Sequence, residues 1–169
     1  MKDDALWYEA AHVVGITNAL NVIADGLEIA PLMPVDEARA AGELAATFAE
    51  IRTFYARPDV PVPFRLIAHD PAYARDVWLA TRRAFDDHRL PRRLKASLAF
   101  AVSLTSRSRF GSDFHLGEMR RLGVSEAGVR EVLGVTQMFS SYTKIADTLQ
   151  LEPDMADLAP PDPTPAPGV

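Results

Sequence analysis

Apolar positions along this chain recur every three or four residues, and alternation of period two never persists. That spacing predicts helices and no strand. Asp3 or Asp4 is placed to cap a first helix that runs to about Gly26, with Trp7, Ala10, Ala11, Val14, Asn18 and Ile23 as its inward stripe. Prolines at 31 and 34 break the chain, and Asp36 and Glu37 suit the start of the next helix, where negative charge is favoured. Ala41, Leu44, Phe48, Ile51 and Tyr55 then mark its buried face. Pro58, Pro61 and Pro63 make residues 57–63 an extended linker, followed by a short turn over 64–69. Asp70-Pro71 is a helix start, an acid at the cap and proline in the first turn, and the helix continues to about His88. Tyr73, Val77, Trp78, Thr81 and Phe85 are its inner face.

Leu90-Pro91 opens a helical hairpin on which the rest is organised. Leu94, Leu98, Ala101 and Val102 read as the buried side of its first helix, and its second helix begins near Ser108. Gly123 suits a left-handed helix end and Ser125 a new N-cap, so the last helix spans about Glu126 to Leu149. The expected architecture is all-α, about six helices around a central hairpin. It forms a single domain over residues 1–152, with a disordered proline-rich tail over 153–169.

One self-similarity stands out. Val13-Val-Gly-Ile-Thr17, followed by Ile23-Ala-Asp, resembles Val132-Leu-Gly-Val-Thr136, followed by Ile145-Ala-Asp, with a gap of three residues. Chance similarity between helices and a duplicated helical unit both account for it. If duplicated, the first helix sits beside the hairpin in pseudo-symmetry with the last.

Composition narrows the function classes. The 169 residues are 48% hydrophobic and suffice for one domain with a core. A net charge of −5 argues against a general nucleic-acid binder, which needs a basic footprint. Arg82, Arg83, Arg89, Arg92, Arg93 and Lys95 do cluster, and the plain reading is a solvated helix end and turn. There are no apolar runs of membrane-spanning length and no clean signal-peptide core, so a soluble cytoplasmic protein is expected. With no cysteine, disulfides, thiolate metal sites and thiol catalysis are all excluded.

Candidate chemistry gathers on the second hairpin helix. Ser108, Gly111 and His115 stand at i, i+3 and i+7 and share one face. His115 can serve as a general acid or base, Glu118 one turn on can orient its ring, and Ser108 can present a hydroxyl. Arg107 and Arg109 can steer a substrate carboxylate. The alternative is a histidine packed between helices and hydrogen-bonded to a backbone carbonyl, and a helical interaction module with no pocket is favoured if Phe110 and Phe114 fill the space around it. His12, His69 and His88 read as structural. No metal-ligand spacing or phosphate loop is present, so no metal or cofactor is expected.

The frame Ser108-Arg-Phe-Gly111-Ser-Asp-Phe-His115 resembles the C-x-x-C-x-x-x-H motif of the redox branch of the alkylhydroperoxidase D / carboxymuconolactone decarboxylase superfamily, with both cysteines replaced. The resemblance extends from about Val60 to Pro153 through Pro61–Pro71, Leu90–Val102, Leu122-Gly-Val-Ser125 and Ile145–Leu149. It implies an all-helical fold that assembles as a homo-oligomer, trimer or hexamer. In the redox branch two cysteines cycle through a disulfide, with a histidine and an upstream acid as proton relay. Here that acid would fall near Ala96, and no Asp or Glu occurs between Asp87 and Asp113. Two readings result: a redox-inactive oligomer that binds a small molecule or scaffolds, and a cofactor-free lyase or isomerase on a small carboxylated or lactone substrate with His115 as acid/base.

Overall fold

The structure, a computed structural model, describes residues 5–26 and 32–151. The expected caps at Asp3 or Asp4 and the proline-rich tail from 153 lie outside the described residues. Within them the chain is all-helical, with no strand. The α-helices are α1 (Ala5–Gly26), α2 (Gly42–Tyr55), α3 (Val62–Ile67), α4 (Pro71–Phe85), α5 (Arg92–Thr105), α6 (Arg109–Arg121) and α7 (Glu126–Leu149), and a 3-10 turn covers Glu37–Arg39.

Local chemistry sets most boundaries. Asp70 Oδ1 accepts the Tyr73 N–H at 3.1 Å, Ser108 Oγ that of Gly111 at 3.0 Å and Ser125 Oγ that of Gly128 at 3.1 Å. These bonds satisfy amides that the first helical turn leaves without partners. Between α6 and α7, Gly123 takes φ +80° and the Val124 N–H closes back on the Met119 carbonyl at 2.9 Å.

Several expectations need correction. Asp36 and Glu37 open only the 3-10 turn, α2 starts at Gly42 with Ala41 exposed before it, and Tyr73 of α4 is 50% exposed, not inward. The seventh helix is α3: Pro63 lies in its first turn, where its missing N–H costs nothing, so the extended linker ends at Pro61. Helix α4 stops at Phe85, short of His88, and the Asp86 carbonyl instead accepts a hydrogen bond from Lys95 Nζ. In α1 the buried residues are Val13, Thr17, Leu20 and Asn21, whereas Trp7 is 75% exposed and Val14 and Asn18 face out. In α5 the buried face is Lys95, Ala96, Ser97, Ala99, Phe100 and Ser103; Leu94 is exposed, and Leu98, Ala101 and Val102 are only half-buried.

Three apolar clusters meet around the α5–α6 hairpin. The largest joins Phe48, Ile51 and Tyr55 of α2 to Phe64 of α3, Trp78 of α4 and Leu20 of α1. Trp78 is fully buried, meets Phe54 edge-on at 5.3 Å between centroids, and donates its Nε1–H to Glu50 Oε2 at 2.9 Å. The second cluster is Val13, Ala84, Phe85 and Ala99; the third is Ala96, Phe100, Met119 and Val129. Helix α1 packs along α3, α4, α5 and α6, whereas α7 leans chiefly on α5 and buries only Val129. A cleft of about 1000 Å³ opens between α5, α7 and Val14 of α1. No helix among the described residues is long and apolar enough to cross a membrane.

Candidate functional site

The face of α6 that carries Ser108, Gly111 and His115 is wholly buried. At its first turn Ser108 is engaged as the cap, so its hydroxyl oxygen is committed to the Gly111 amide. Beyond Gly111 stands a polar cluster supplied by α1. Asn21 Nδ2 donates to Ser103 Oγ at 3.1 Å and Ser106 Oγ at 3.2 Å, and Ser103 donates to the Ala99 carbonyl at 2.8 Å. A Cβ built on Gly111 would lie 2.1 Å from Asn21 Oδ1, 2.5 Å from Ser103 Oγ and 2.8 Å from Asn21 Cγ. Asn21 is 2% exposed and tied by two bonds, so it cannot swing aside without abandoning them. The space beside residue 111 is therefore already filled.

His115 lies two half-turns further along. Phe85 stacks on its ring at 5.8 Å and 11°, and Phe114 meets it edge-on at 5.2 Å and 82°. Phe110 stacks in turn on Phe114 at 5.6 Å. The aromatic filling weighed as the alternative from sequence is therefore present. Nδ1 of His115 is buried with no hydrogen-bond partner, and burial pushes the imidazole pKa down to about 3. The ring is neutral at physiological pH.

Glu118 does not serve His115 in this arrangement. It accepts two bonds from Arg121, Nε to Oε1 at 2.9 Å and Nη2 to Oε2 at 2.7 Å, and lies 3.4 Å from Arg92 Nη2. Arg92 also donates to the Phe54 carbonyl at 2.8 Å and spreads its guanidinium 3.5 Å above the Phe54 ring. Burial, set against the favourable charge of Glu118, holds the Arg92 pKa below its usual value. Burial, with Glu118 second, pushes the Tyr55 phenol pKa up.

The two arginines proposed to steer a carboxylate lie apart from His115. Arg107, at φ +59°, lines the α5–α7 cleft. Arg109 is exposed beside Phe110, Asp113 and Asp25, in a separate hollow. The residues that sequence reasoning missed are Asn21, Tyr55, Arg92 and Arg121. Arg121 had a visible signal, its i+3 spacing from Glu118; Asn21 had none beyond being a polar residue in an apolar helix. Ala96, where the resemblance puts a relay acid, belongs to the cluster with Phe100, Met119 and Val129. Among the described residues no group of three or more His, Asp or Glu is placed to hold a metal ion.

Residues 71–151 match the model of the carboxymuconolactone decarboxylase family. The fold is similar to the crystal structure of the alkylhydroperoxidase AhpD core from Rhodospirillum rubrum, with a TM-score of 0.71 and 22% identity over 78% of this chain and 98% of that one. Among curated proteins, none matches.

Proposed function

Because residues 71–151 match the carboxymuconolactone decarboxylase family yet the chain contains no cysteine, we propose that it is a redox-inactive member of the alkylhydroperoxidase D-like / carboxymuconolactone decarboxylase superfamily, a helical homo-oligomer that binds a small molecule or scaffolds. The observation that carries this reading is the Asn21–Ser103–Gly111 contact. The chain lacks thiols, and the place a side chain at 111 would occupy is also taken by α1. Oligomerisation is supported by α7, whose Leu133, Met138, Phe139, Tyr142, Ile145 and Leu149 are exposed. An apolar stripe of this length on a soluble helix is the usual mark of a partner surface. We assign the partner as further copies of the chain, a trimer or hexamer.

The test has two arms. Hydroperoxide consumption is followed with dithiol reductants, and no turnover above buffer is expected; thiol-dependent peroxidase activity overturns the reading. Sedimentation at micromolar concentration should give a closed oligomer, and a strict monomer removes the scaffold half.

A second reading keeps His115 as the acid/base of a lyase or isomerase. Its unpartnered Nδ1 favours this, since it leaves one buried ring nitrogen free for a substrate, whose own charge would have to raise the imidazole pKa from about 3 for the ring to take a proton. On this reading, His115→Ala lowers turnover of a small lactone or carboxylate by roughly 10²-fold. Equal rates for both proteins across a substrate panel exclude it.

A further inference from the structure

At the N-terminal end of α1, away from the face just described, lies a hollow of about 400 Å³. Tyr8, Glu9 and His12 of α1, Arg83 of α4, and His88 and Arg89 of the following turn line it. Apart from Glu9 and the Tyr8 phenol its ionisable walls are basic or imidazole, and among the described residues the nearby acids are engaged elsewhere. Glu9 pairs with the fully buried Lys95 and accepts the Arg89 N–H at 3.2 Å. Burial works to raise the Glu9 pKa, but the hydrogen bond and charge of Lys95, together with the Leu90 and Arg89 amides, outweigh it and hold the carboxyl below its usual value. Asp86 Oδ2 lies 3.8 Å from Arg82 Nε, and Asp87 Oδ1 accepts the Arg92 N–H at 2.6 Å. The Arg83 side chain, by contrast, has no hydrogen bond or ion pair among the described residues.

The geometry points to a binding site for a small oxyanion, a carboxylate or phosphate group, seated between Arg83, His12 and His88. Arg83 offers a planar fork of N–H donors that matches two oxygens of such a group. Each imidazole adds a donor, and a second charge when protonated. Among the described residues, the groups facing His12 are Tyr8 and Glu9 on its own helix, Arg83 from α4, His88 and Arg89 from the turn and Lys95 from α5. Burial first, then the charges of Arg83 and Lys95, keep the His12 pKa below its ordinary value. A bound anion offsets those charges, so binding strengthens as pH falls from 8 to 6. The hollow shares no residue with the Ser108–His115 face, so it stands or falls apart from the reading above.

The test titrates the full chain with inorganic phosphate and, separately, with malonate at constant ionic strength, and reads the His12 and His88 ring resonances by NMR. Saturable shifts with a raised His12 pKa are expected. They should weaken about tenfold in Arg83→Gln, the usual cost of one charge-assisted bond. Arg83 is exposed, so that variant should keep the parent's circular dichroism and melting temperature. Saturation by only one probe identifies the headgroup. Shifts that do not saturate with either, or that persist unchanged in Arg83→Gln, overturn the proposal.

Discussion

Helices α1 and α7 flank the same hairpin and carry the same Val-x-Gly-x-Thr run, but their surroundings differ. In α1, Val13 and Thr17 are fully buried, and the face continues through Leu20 and Asn21. In α7 the matching Val132 and Thr136 are half-buried, and the positions corresponding to Leu20 and Asn21 are Phe139, 66% exposed, and Ser140, also exposed. Similar patterns thus reach different burial because the neighbours differ: α1 has four helices along it, and α7 leans mainly on α5. The lesson is that α1 seals the hairpin while α7 leaves one flank open.

The largest expected effect concerns how α1 is fastened. Lys95 of α5 is fully buried and pairs with Glu9 of α1. Lys95→Ala leaves Glu9 without its partner and should lower unfolding free energy by about 3–5 kcal/mol in urea titration. The pair Glu9→Gln with Lys95→Met should recover much of it. A loss below about 1 kcal/mol for Lys95→Ala would mean that the pair does not fasten α1.

Next comes the seal itself. Gly111→Cys drives a Cβ into Asn21 and Ser103 and should cost about 3 kcal/mol. Adding Asn21→Ala makes room, so the double variant should be less destabilised than the two single losses summed, by 0.5 kcal/mol or more (the order expected of touching residues). Strict additivity breaks the claim that Asn21 is the obstacle.

A third test reads the seal through His115. The unfolded chain takes up a proton near pH 6.5 that the folded chain refuses until about pH 3. The His115 contribution is therefore level above pH 6.5. Below that, stability falls by about 1.4 kcal/mol per pH unit. Between pH 6.5 and 5 the parent should lose about 2 kcal/mol more than His115→Leu. Parallel pH profiles would show that water reaches the ring.

The smallest effect on folding is expected at the open flank. Phe139→Asp should change monomer stability by no more than about 0.5 kcal/mol, since the ring makes few contacts within the chain. Its effect should appear instead in sedimentation, as loss of assembly. An unchanged oligomer would move the partner surface off α7.

Caps were legible in sequence because their chemistry spans only three or four residues. Asp70 and Ser125 each bond where their sequence placed them, whereas Ser108, read from sequence as a hydroxyl on the site face, is spent as the cap of α6. Faces were less legible. Helix α5 carries apolar residues on more than one side, Leu94 outward, Leu98 half-buried and Ala99 and Phe100 inward, and its inner side also carries Lys95, Ser97 and Ser103. A rule that buries the largest apolar stripe chooses wrongly there. Polar groups are tolerated inside only when partners from distant segments meet them, as Asn21 meets Ser103 across 82 residues. The face of Ser108, Gly111 and His115 followed from helical spacing alone. What filled it did not, since Asn21 and Phe85 come from two other helices.

The contact between Asn21 and Gly111 also bears on the order in which mutations can accumulate. From this chain, a first step that places any side chain at 111 meets an occupied site and costs stability before it yields any new chemistry. A two-cysteine site becomes accessible only after a change at Asn21 of α1, ninety residues earlier, and a shift of Ser103 on α5 have cleared the space. With respect to thiol chemistry the fold behaves as a ratchet, and the pawl is an asparagine on a different helix.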